Sequence, residues 1–337
     1  DWLVRLVDGL QILPGSGTTT PTIPLWLTAM SLGLIGVWTL WPWLRVRRRW
    51  LIATAAAVLV TWTWHLAPSP RRDALTLTFP SITNGACCLI SFPNGRTWMY
   101  DAGSMAGYDI HRWVVGPLLA DRRISSIDAL VLSHANLDHF SGVPELIEHH
   151  NVERLLVSPW FSDFSDPGDA ADRLLADLRQ KGLPITRIQR GSLLSGTGDV
   201  TVEVLWPPPA GSLPIRNAND SSLVLRISYA GYRVLLCGDI MEQGQGRLIR
   251  TGDLAADVLV LPHHGSTGYD PRPFILAVNP RYCIRSGGTR NVDIPNRLAD
   301  VLADRVYLDC QIDGATEIEV RKSGLTVRPW RTARIAR

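Results

Sequence analysis

The chain has 337 residues, 46% of them hydrophobic, and 34 basic against 31 acidic side chains leave a formal net charge of +3. That length allows two domains, or one large domain with an appendage, and a charge so close to balance gives no independent argument for nucleic-acid binding. The five cysteines are an odd number with no CxxC pair among them, which predicts neither a disulfide framework nor a zinc knuckle.

A start at Asp1 rather than Met leads us to expect a piece of a longer polypeptide, and no signal-peptide pattern is visible. In residues 1–12, Trp2, Leu3, Leu6, Val7 and Leu10 recur at helical spacing, as in an interfacial amphipathic helix. The Pro-, Gly- and Thr-rich stretch 14–24 reads as a linker. Leu25 to Leu44 is apolar almost throughout, with Trp26, Trp38, Trp41 and Trp43 mostly toward its ends. About 20 such residues span a bilayer core, and tryptophans belong at its edges. A second run, Leu51 to Ala67, is shorter and uncharged. The alternative is a helical hairpin buried inside a soluble protein, but runs of this kind are read first as membrane-spanning. Arg45, Arg47, Arg48 and Arg49 lie between the runs. The positive-inside rule therefore places that loop in the cytoplasm and the following domain on the outer side. The expected organisation is an amphipathic segment and linker over 1–24, a transmembrane hairpin over 25–70, and a folded domain over 71–337.

From Asp73 the pattern changes to short strands joined by turns, expected at 74–79, 87–92, 96–103, 125–133, 153–158, 200–207, 222–231, 232–239 and 256–262. Helices are expected at 142–150 and 169–181. Strands and helices mixed in this way mean an α/β or α+β domain.

Chemistry gathers at four strand ends. In Leu132-Ser-His-Ala-Asn-Leu-Asp-His139, an apolar strand runs into His134, Asn136, Asp138 and His139. Two imidazoles and a carboxylate within six residues suit a borderline divalent ion such as Zn²⁺ or Mn²⁺. Leu236-Cys-Gly-Asp239 ends a strand in a glycine and an acid, which alone reads as a turn. Leu261-Pro-His-His-Gly-Ser266 ends another strand in paired histidines, His263 and His264, suited to a metal or a phosphate. Tyr100-Asp-Ala-Gly-Ser104 places Asp101 at a fourth strand end. His149 and His150 form a second pair, read as surface residues at a helix C-terminus.

Asp101-Ala-Gly, His134-Ala-Asn-Leu-Asp-His139, Gly238-Asp239 and His263-His264 follow the order of the metallo-β-lactamase superfamily. That resemblance implies a four-layer αββα sandwich. SHANLDHFSG over 133–142, NDSSLVL over 219–225, LLCGD over 235–239 and HHGS over 263–266 also resemble the C-terminal part of ComEC-type competence proteins. The resemblance implies a multi-pass inner-membrane protein that forms a channel for single-stranded DNA, with this domain acting as a nuclease on DNA or another phosphodiester. It also implies two divalent ions, Zn or Mn. His134, with Asn136 beside it, would hold the first; Asp138, His139 and His264 would hold the second; Asp239 would bridge both. His263 would contact a phosphate, and Asp101 would orient a ligand. Position 136 departs from the pattern: an amide oxygen is a poor ligand for Zn²⁺, which predicts a weakened first site. The acids expected near Pro80–Cys87 are missing too, and no histidine lies between His150 and His263. Two other readings therefore stand beside the nuclease: a DNA-docking domain without turnover, and a different hydrolase of the same fold, such as a lactonase or phosphocholine esterase.

Overall fold

The computed structural model describes residues 25–44, 47–66, 73–164, 168–288 and 294–331. Two compact units divide the chain at Pro70, with Gly116–Ser125 grouped with the first. The amphipathic segment and linker expected over 1–24 lie outside the described residues.

The first unit contains two helices, α1 (Leu25–Leu44) and α2 (Arg48–Leu66). Their hydroxyls turn back onto their own backbones: Ser31 Oγ donates to the Leu27 carbonyl, and Thr54 and Thr61 donate to those of Trp50 and Val58. Trp62 Nε1 donates to Ser31 Oγ at 2.9 Å and ties the two helices together. Helices thus form where the apolar runs predict them. Among the described residues, however, no helix is long and apolar enough to cross a membrane. Composition explains the difference from the expected hairpin. Thr28, Ser31, Thr39, two glycines and the tryptophans dilute α1, while Arg48, Arg49 and three threonines dilute α2.

The second unit is a sandwich of two sheets. The first is built from β1 (Leu75–Phe79), β2 (Gly85–Ser91), β3 (Thr97–Ser104), β5 (Ala129–Leu132), β7 (Leu155–Val157) and β8 (Ile185–Arg187). A small separate pair, β4 (Ser126–Ile127) and β6 (Asn151–Val152), lies between them in sequence. The second sheet runs through β9 (Leu193–Leu194), β10 (Thr201–Trp206), β11 (Val224–Tyr229), β12 (Tyr232–Leu236), β13 (Val258–Val260), β14 (Tyr282–Arg285) and β15 (Val306–Asp309). The closing hairpin, β16 (Thr316–Arg321) and β17 (Gly324–Pro329), returns to the first sheet, where β16 pairs with β1. The strand orders are β17-β16-β1-β2-β3-β5-β7-β8 and β15-β14-β13-β12-β11-β10-β9.

Each sheet is antiparallel at one end and parallel at the other. In the first, β3 is antiparallel to β2 and parallel to β5. In the second, β12 is antiparallel to β11 and parallel to β13. Open sheets with parallel strands place ligands beyond the carboxyl ends of those strands, and the functional loops lie there. The core between the sheets takes Leu75, Leu77, Trp98 and Val131 from one side and Val204, Leu225, Ile227 and Val258 from the other. Helices pack outside: α6 (Glu242–Ile249) and α7 (Arg272–Val278) bury Leu248, Phe274, Ile275 and Val278 against the second sheet. On the other half, α3 (Leu137–Phe140), α4 (Val143–His149) and α5 (Ala170–Gln180) follow the strands of the first sheet. In α5, Ala171, Leu174, Leu175 and Leu178 recur at helical spacing and are buried. All five cysteines are buried and unpaired.

Candidate metal centre

The centre begins with a β-bulge. Along the β2–β3 ladder, Cys87 pairs with Ala102 but Cys88 pairs with Tyr100, so Asp101 is the extra residue. A bulge re-aims one side chain out of the pleat. Asp101 takes the left-handed region, φ 58°, and its carboxylate is fully buried. One oxygen accepts the Ser133 backbone N–H at 2.7 Å; the other lies 2.8 Å from His139 Nδ1.

That contact sets the tautomer of His139. A carboxylate accepts, so Nδ1 carries a proton and Nε2 is the nitrogen turned to the ligand cluster. Nε2 faces inward, 3.2 Å from Asp239 Oδ1 and 3.8 Å from Asp138 Oδ2, with no hydrogen bond of its own. His264 is prepared in the same way. Its Nδ1 lies 2.9 Å from the Ser286 carbonyl, and its Nε2 points to Asp138 Oδ2 at 3.4 Å and Asp239 Oδ2 at 3.7 Å. The His264 carbonyl in turn accepts from buried Arg285 Nε at 2.8 Å, and Arg285 is ion-paired with Asp309 at 2.7 Å. Asp239 follows Gly238, whose φ of +52° and closeness to Ser133 and Ser222 suit only glycine. Ser222 Oγ accepts the Asp239 backbone N–H at 3.0 Å. His263 and His264 also hold positive φ, 49° and 52°. Backbone strain of this kind clusters at functional sites.

Asp138, His139, Asp239 and His264 thus offer ligand atoms all within 4.8 Å of one another. His134 lies just behind them. Its ring centroid is 4.2 Å from that of His139, its Nδ1 is 3.0 Å from Ser133 Oγ, and its Nε2 is buried without a partner. Asn136 is turned elsewhere: its Nδ2 donates to Asn219 Oδ1 at 2.7 Å. Neither His134 nor Asn136 belongs to the gathered set. His263 is partly exposed, with Nε2 3.8 Å from Asp239 Oδ2 and its ring stacked on Tyr269. An open cleft of about 570 Å³ runs past the cluster, lined by Met105, Asn136, Asp138, Arg173, Asp239 and His263.

The electrostatics follow from burial and crowding. Burial alone would raise the Asp239 carboxyl, but His139 and His264 hold it well below the usual carboxylate range. Asp138 is lowered too, chiefly by His264 acting against burial. Burial disfavours the charged form of His139, yet Asp239 and Asp101 push it well above its ordinary value. His134, buried and next to His139, falls to about 3 and is neutral at physiological pH. Three carboxylates this close together, with Asp101 and Asp239 buried, call for positive charge.

The profile of the metallo-beta-lactamase superfamily matches residues 83–270. The chain belongs to the metallo-beta-lactamase superfamily. ComE operon protein 3 of Bacillus subtilis (strain 168) is 31% identical over 224 residues, covering 62% of this chain and 28% of that protein. Competence protein ComA of Neisseria gonorrhoeae is 27% identical over 224 residues, 66% of this chain and 28% of that protein. These homologues bear out the ComEC-type resemblance read from the motifs, and the chain spans little more than a quarter of their length. Among solved structures, the metallo-beta-lactamase fold protein YhfI from Bacillus subtilis aligns at 13% identity with a TM-score of 0.48, over 73% of this chain and all of that one.

Membership in this superfamily makes the protein a hydrolase of the metallo-beta-lactamase fold and implies divalent metal. The donor set fits such an ion. Two ligands about 2.1 Å from a tetrahedral ion stand roughly 3.4 Å apart, and the separations here are 3.2, 3.4, 3.7 and 3.8 Å. The orphaned Nε2 atoms of His134 and His139 would gain the partner they lack.

Ser133 and Ser222 fall inside the motifs quoted above, without a role read for them; Ser286 and Arg285, which hold His264 in place, fall outside those motifs. Arg285 left a readable trace: a charge ending an apolar strand just before two glycines.

Proposed function

We propose that this protein is a metal-dependent phosphodiesterase that cleaves DNA during its uptake. The observation carrying the chemistry is the pair of preset imidazoles, His139 and His264, facing Asp138 and Asp239 across ligand-length gaps. DNA as substrate rests on the competence proteins among the relatives. Asp138, His139, Asp239 and His264, with His134, would hold two divalent ions. When bound, the ions acidify water toward neutral pH and steady charge on phosphate oxygens. The chain's own groups do the rest. Asp101 keeps the proton on His139 Nδ1, and the Ser286 carbonyl does the same for His264. His263 and Arg173, at the cleft, would orient the phosphodiester backbone. The test is cleavage of linear single-stranded DNA beside metal content, for wild type and Asp239→Ala. Loss of both in the variant supports the proposal; cleavage that survives loss of metal overturns it.

The placement of Asn136 favours a second reading, a DNA-docking domain without turnover. Bonded to Asn219, its side chain is not offered to an ion. Such a domain would bind DNA with or without metal and never cut it.

We also propose that α1 and α2 lie in a membrane, with the hydrolase unit on its outer side. Leu25, Trp26, Leu32, Ile35, Trp38 and Trp43 are exposed along α1, and surfaces this apolar ask for a cover. Hydroxyls bonded back into their own helices suit a setting without water. Reporter fusions in the 67–72 stretch should report an extracytoplasmic position; a cytoplasmic signal overturns the orientation.

A further inference from the structure

The hairpin that closes the first sheet ends at the same rim as the metal centre, and the strand registers fix this. Arg328 on β17 pairs with Glu317, Glu317 with Thr78, Thr78 with Leu89, and Leu89 with Met99 on β3. All four pairings are antiparallel, so β17 and β3 run in the same direction. Two residues beyond Met99 stands Asp101, and two residues beyond Arg328 stands Trp330. Both therefore leave the sheet at one rim, four strand spacings or roughly 19 Å apart.

Trp330 is held in place there, yet open to solvent. Its backbone N–H donates to the Ala315 carbonyl at 2.8 Å, and that of Arg331 donates to the Asp313 carbonyl at 2.9 Å. Leu325 and Val327 pack against the core and Pro329 is buried, so alternation along the chain turns Arg328 and Trp330 outward. The Trp330 side chain is 62% exposed, and no other exposed large apolar side chain follows Val306 among the described residues. Arg328 and Arg331, on either side of it, are exposed as well. Glu317 stands opposite Arg328, and Glu319 is paired with Arg321 at 2.8 Å. From Gly324 to Arg337, however, the sequence carries four arginines and no acid. An indole between two guanidinium groups offers a flat ring on which a base can stack and cations for the phosphates beside it. A lipid surface would call for a whole apolar face, and Trp330 stands alone.

We propose that Trp330, with Arg328 and Arg331, is a stacking post for single-stranded nucleic acid, holding the strand on the rim several nucleotides away from the metal centre. This rests on the reading of that centre as a phosphodiesterase acting on DNA. A duplex keeps its bases stacked on one another and offers no face to the indole, so the post favours single strands. It also favours length. A dinucleotide at the metal centre is too short to reach Trp330, whereas a longer strand engages both places at once and gains the effective concentration of a tethered ligand.

The test uses the full chain loaded with Mn²⁺ and a fluorescent thymidine dodecamer whose phosphorothioate linkages resist cleavage, with affinity read by anisotropy. Trp330→Ala should weaken binding at least about fivefold, the loss expected of one stacked base. Trp330→Phe should recover most of it, because any flat ring can stack. The ratio of dodecamer to dinucleotide affinity should fall in Trp330→Ala and return in Trp330→Phe. Arg331→Ala should lower the slope of log affinity against log salt by about 0.7, the share of one phosphate contact on a single strand. Circular dichroism confirms folding of each variant. Binding that depends on Trp330, without cleavage of the unmodified dodecamer, supports this surface and overturns the nuclease reading instead. Dodecamer affinity unmoved by Trp330→Ala, whether or not that variant loses affinity for anionic vesicles, overturns the proposal.

Discussion

Asp101 and His139 meet at 2.8 Å on a β-bulge, both almost wholly buried, so one acid fixes which nitrogen of the imidazole faces the ligand cluster. The same acid accepts the Ser133 N–H at the start of the His134 loop. One residue thus anchors both the loop and the ring.

Asp101→Asn tests that anchor with little strain, because Asn tolerates the left-handed backbone found here better than Ala does. The amide cannot serve both contacts as the carboxylate does, and its charge is lost. Metal affinity should fall roughly 10- to 100-fold, the usual effect of losing a group that orients a ligand. Equilibrium dialysis of stripped protein checks this. Affinity equal to wild type would mean that His139 holds its orientation by packing alone.

Gly103 presses against the segment carrying Asp138 and His139. A Cβ there would lie 2.5 Å from the Phe140 backbone nitrogen and 2.6 Å from the carbonyl carbons of Asp138 and His139. Backbone cannot swing aside as a side chain can, so Gly103→Ala should push α3 outward. We expect at least about 2 kcal/mol of destabilisation, within the range for overpacking, together with lost metal binding. Urea unfolding and metal content check the two effects. A variant as stable as wild type would show that α3 moves freely and that this contact is not structural.

The buried thiols predict an alkaline limit to stability. Burial pushes Cys283 and Cys310 up to about 12 from an ordinary value of 9. Between those values the unfolded chain releases protons that the folded chain retains, so stability falls as pH rises above 9 and is unaffected below it. Each thiol contributes a slope of at most about 1.4 kcal/mol per pH step. Cys310→Ala should flatten the stability profile between pH 9 and 11, measured by urea unfolding. An unchanged slope would mean that the thiol ionises in the folded state. At pH 8 all five thiols should resist a disulfide reagent until the protein unfolds.

The legible parts of this fold were those written in local pattern. Strands such as Leu75–Phe79 and Ala129–Leu132, and the helix Ala170–Gln180, formed where alternation and helical spacing placed them. The strand Val306–Asp309 went unread, being a short run that gains meaning only from its parallel neighbour. The pairing of β16 with β1 joins residues about 240 positions apart, which no periodicity encodes. At the site, the His134–His139 and His263–His264 clusters stood out by residue type and spacing, whereas Asp239 alone read as a turn and joined them only through the family resemblance. The partners that aim those ligands were not, because the Asp101–His139, His264–Arg285 and Asn136–Asn219 contacts exist only after the sheets close. His149 and His150 read as surface residues at a helix end; His150 is buried against His111, far away in sequence.

Asn136 is where sequence and structure together give the sharpest test. Its amide Nδ2 donates to Asn219 Oδ1 at 2.7 Å, and Asn219 Nδ2 reaches only a sulfur, Met241 Sδ at 3.5 Å. In Asn136→Asp, oxygen would face oxygen unless the Asn219 amide turned end for end. Turning loses only the weak sulfur contact and presents an N–H to the new carboxylate. The fold should therefore lose no more than about 1 kcal/mol, the net worth of one hydrogen bond. The carboxylate adds a negative charge to a cleft already lined by Asp138 and Asp239, and suits a hard ion such as Mn²⁺ better than an amide does. Mn²⁺ affinity should rise about tenfold, equivalent to about 1.4 kcal/mol. If the domain is a nuclease with a weak first site, cleavage of single-stranded DNA at limiting Mn²⁺ should rise with it. If the domain only docks DNA, the variant should gain metal and still not cut. Metal stoichiometry and cleavage, measured side by side for wild type, Asn136→Asp and the double variant Asn136→Asp with Asn219→Ala, separate the two. Two tight ions in wild type, with no gain in either variant, would show that position 136 serves only its bond to Asn219 and that the first site was never weakened.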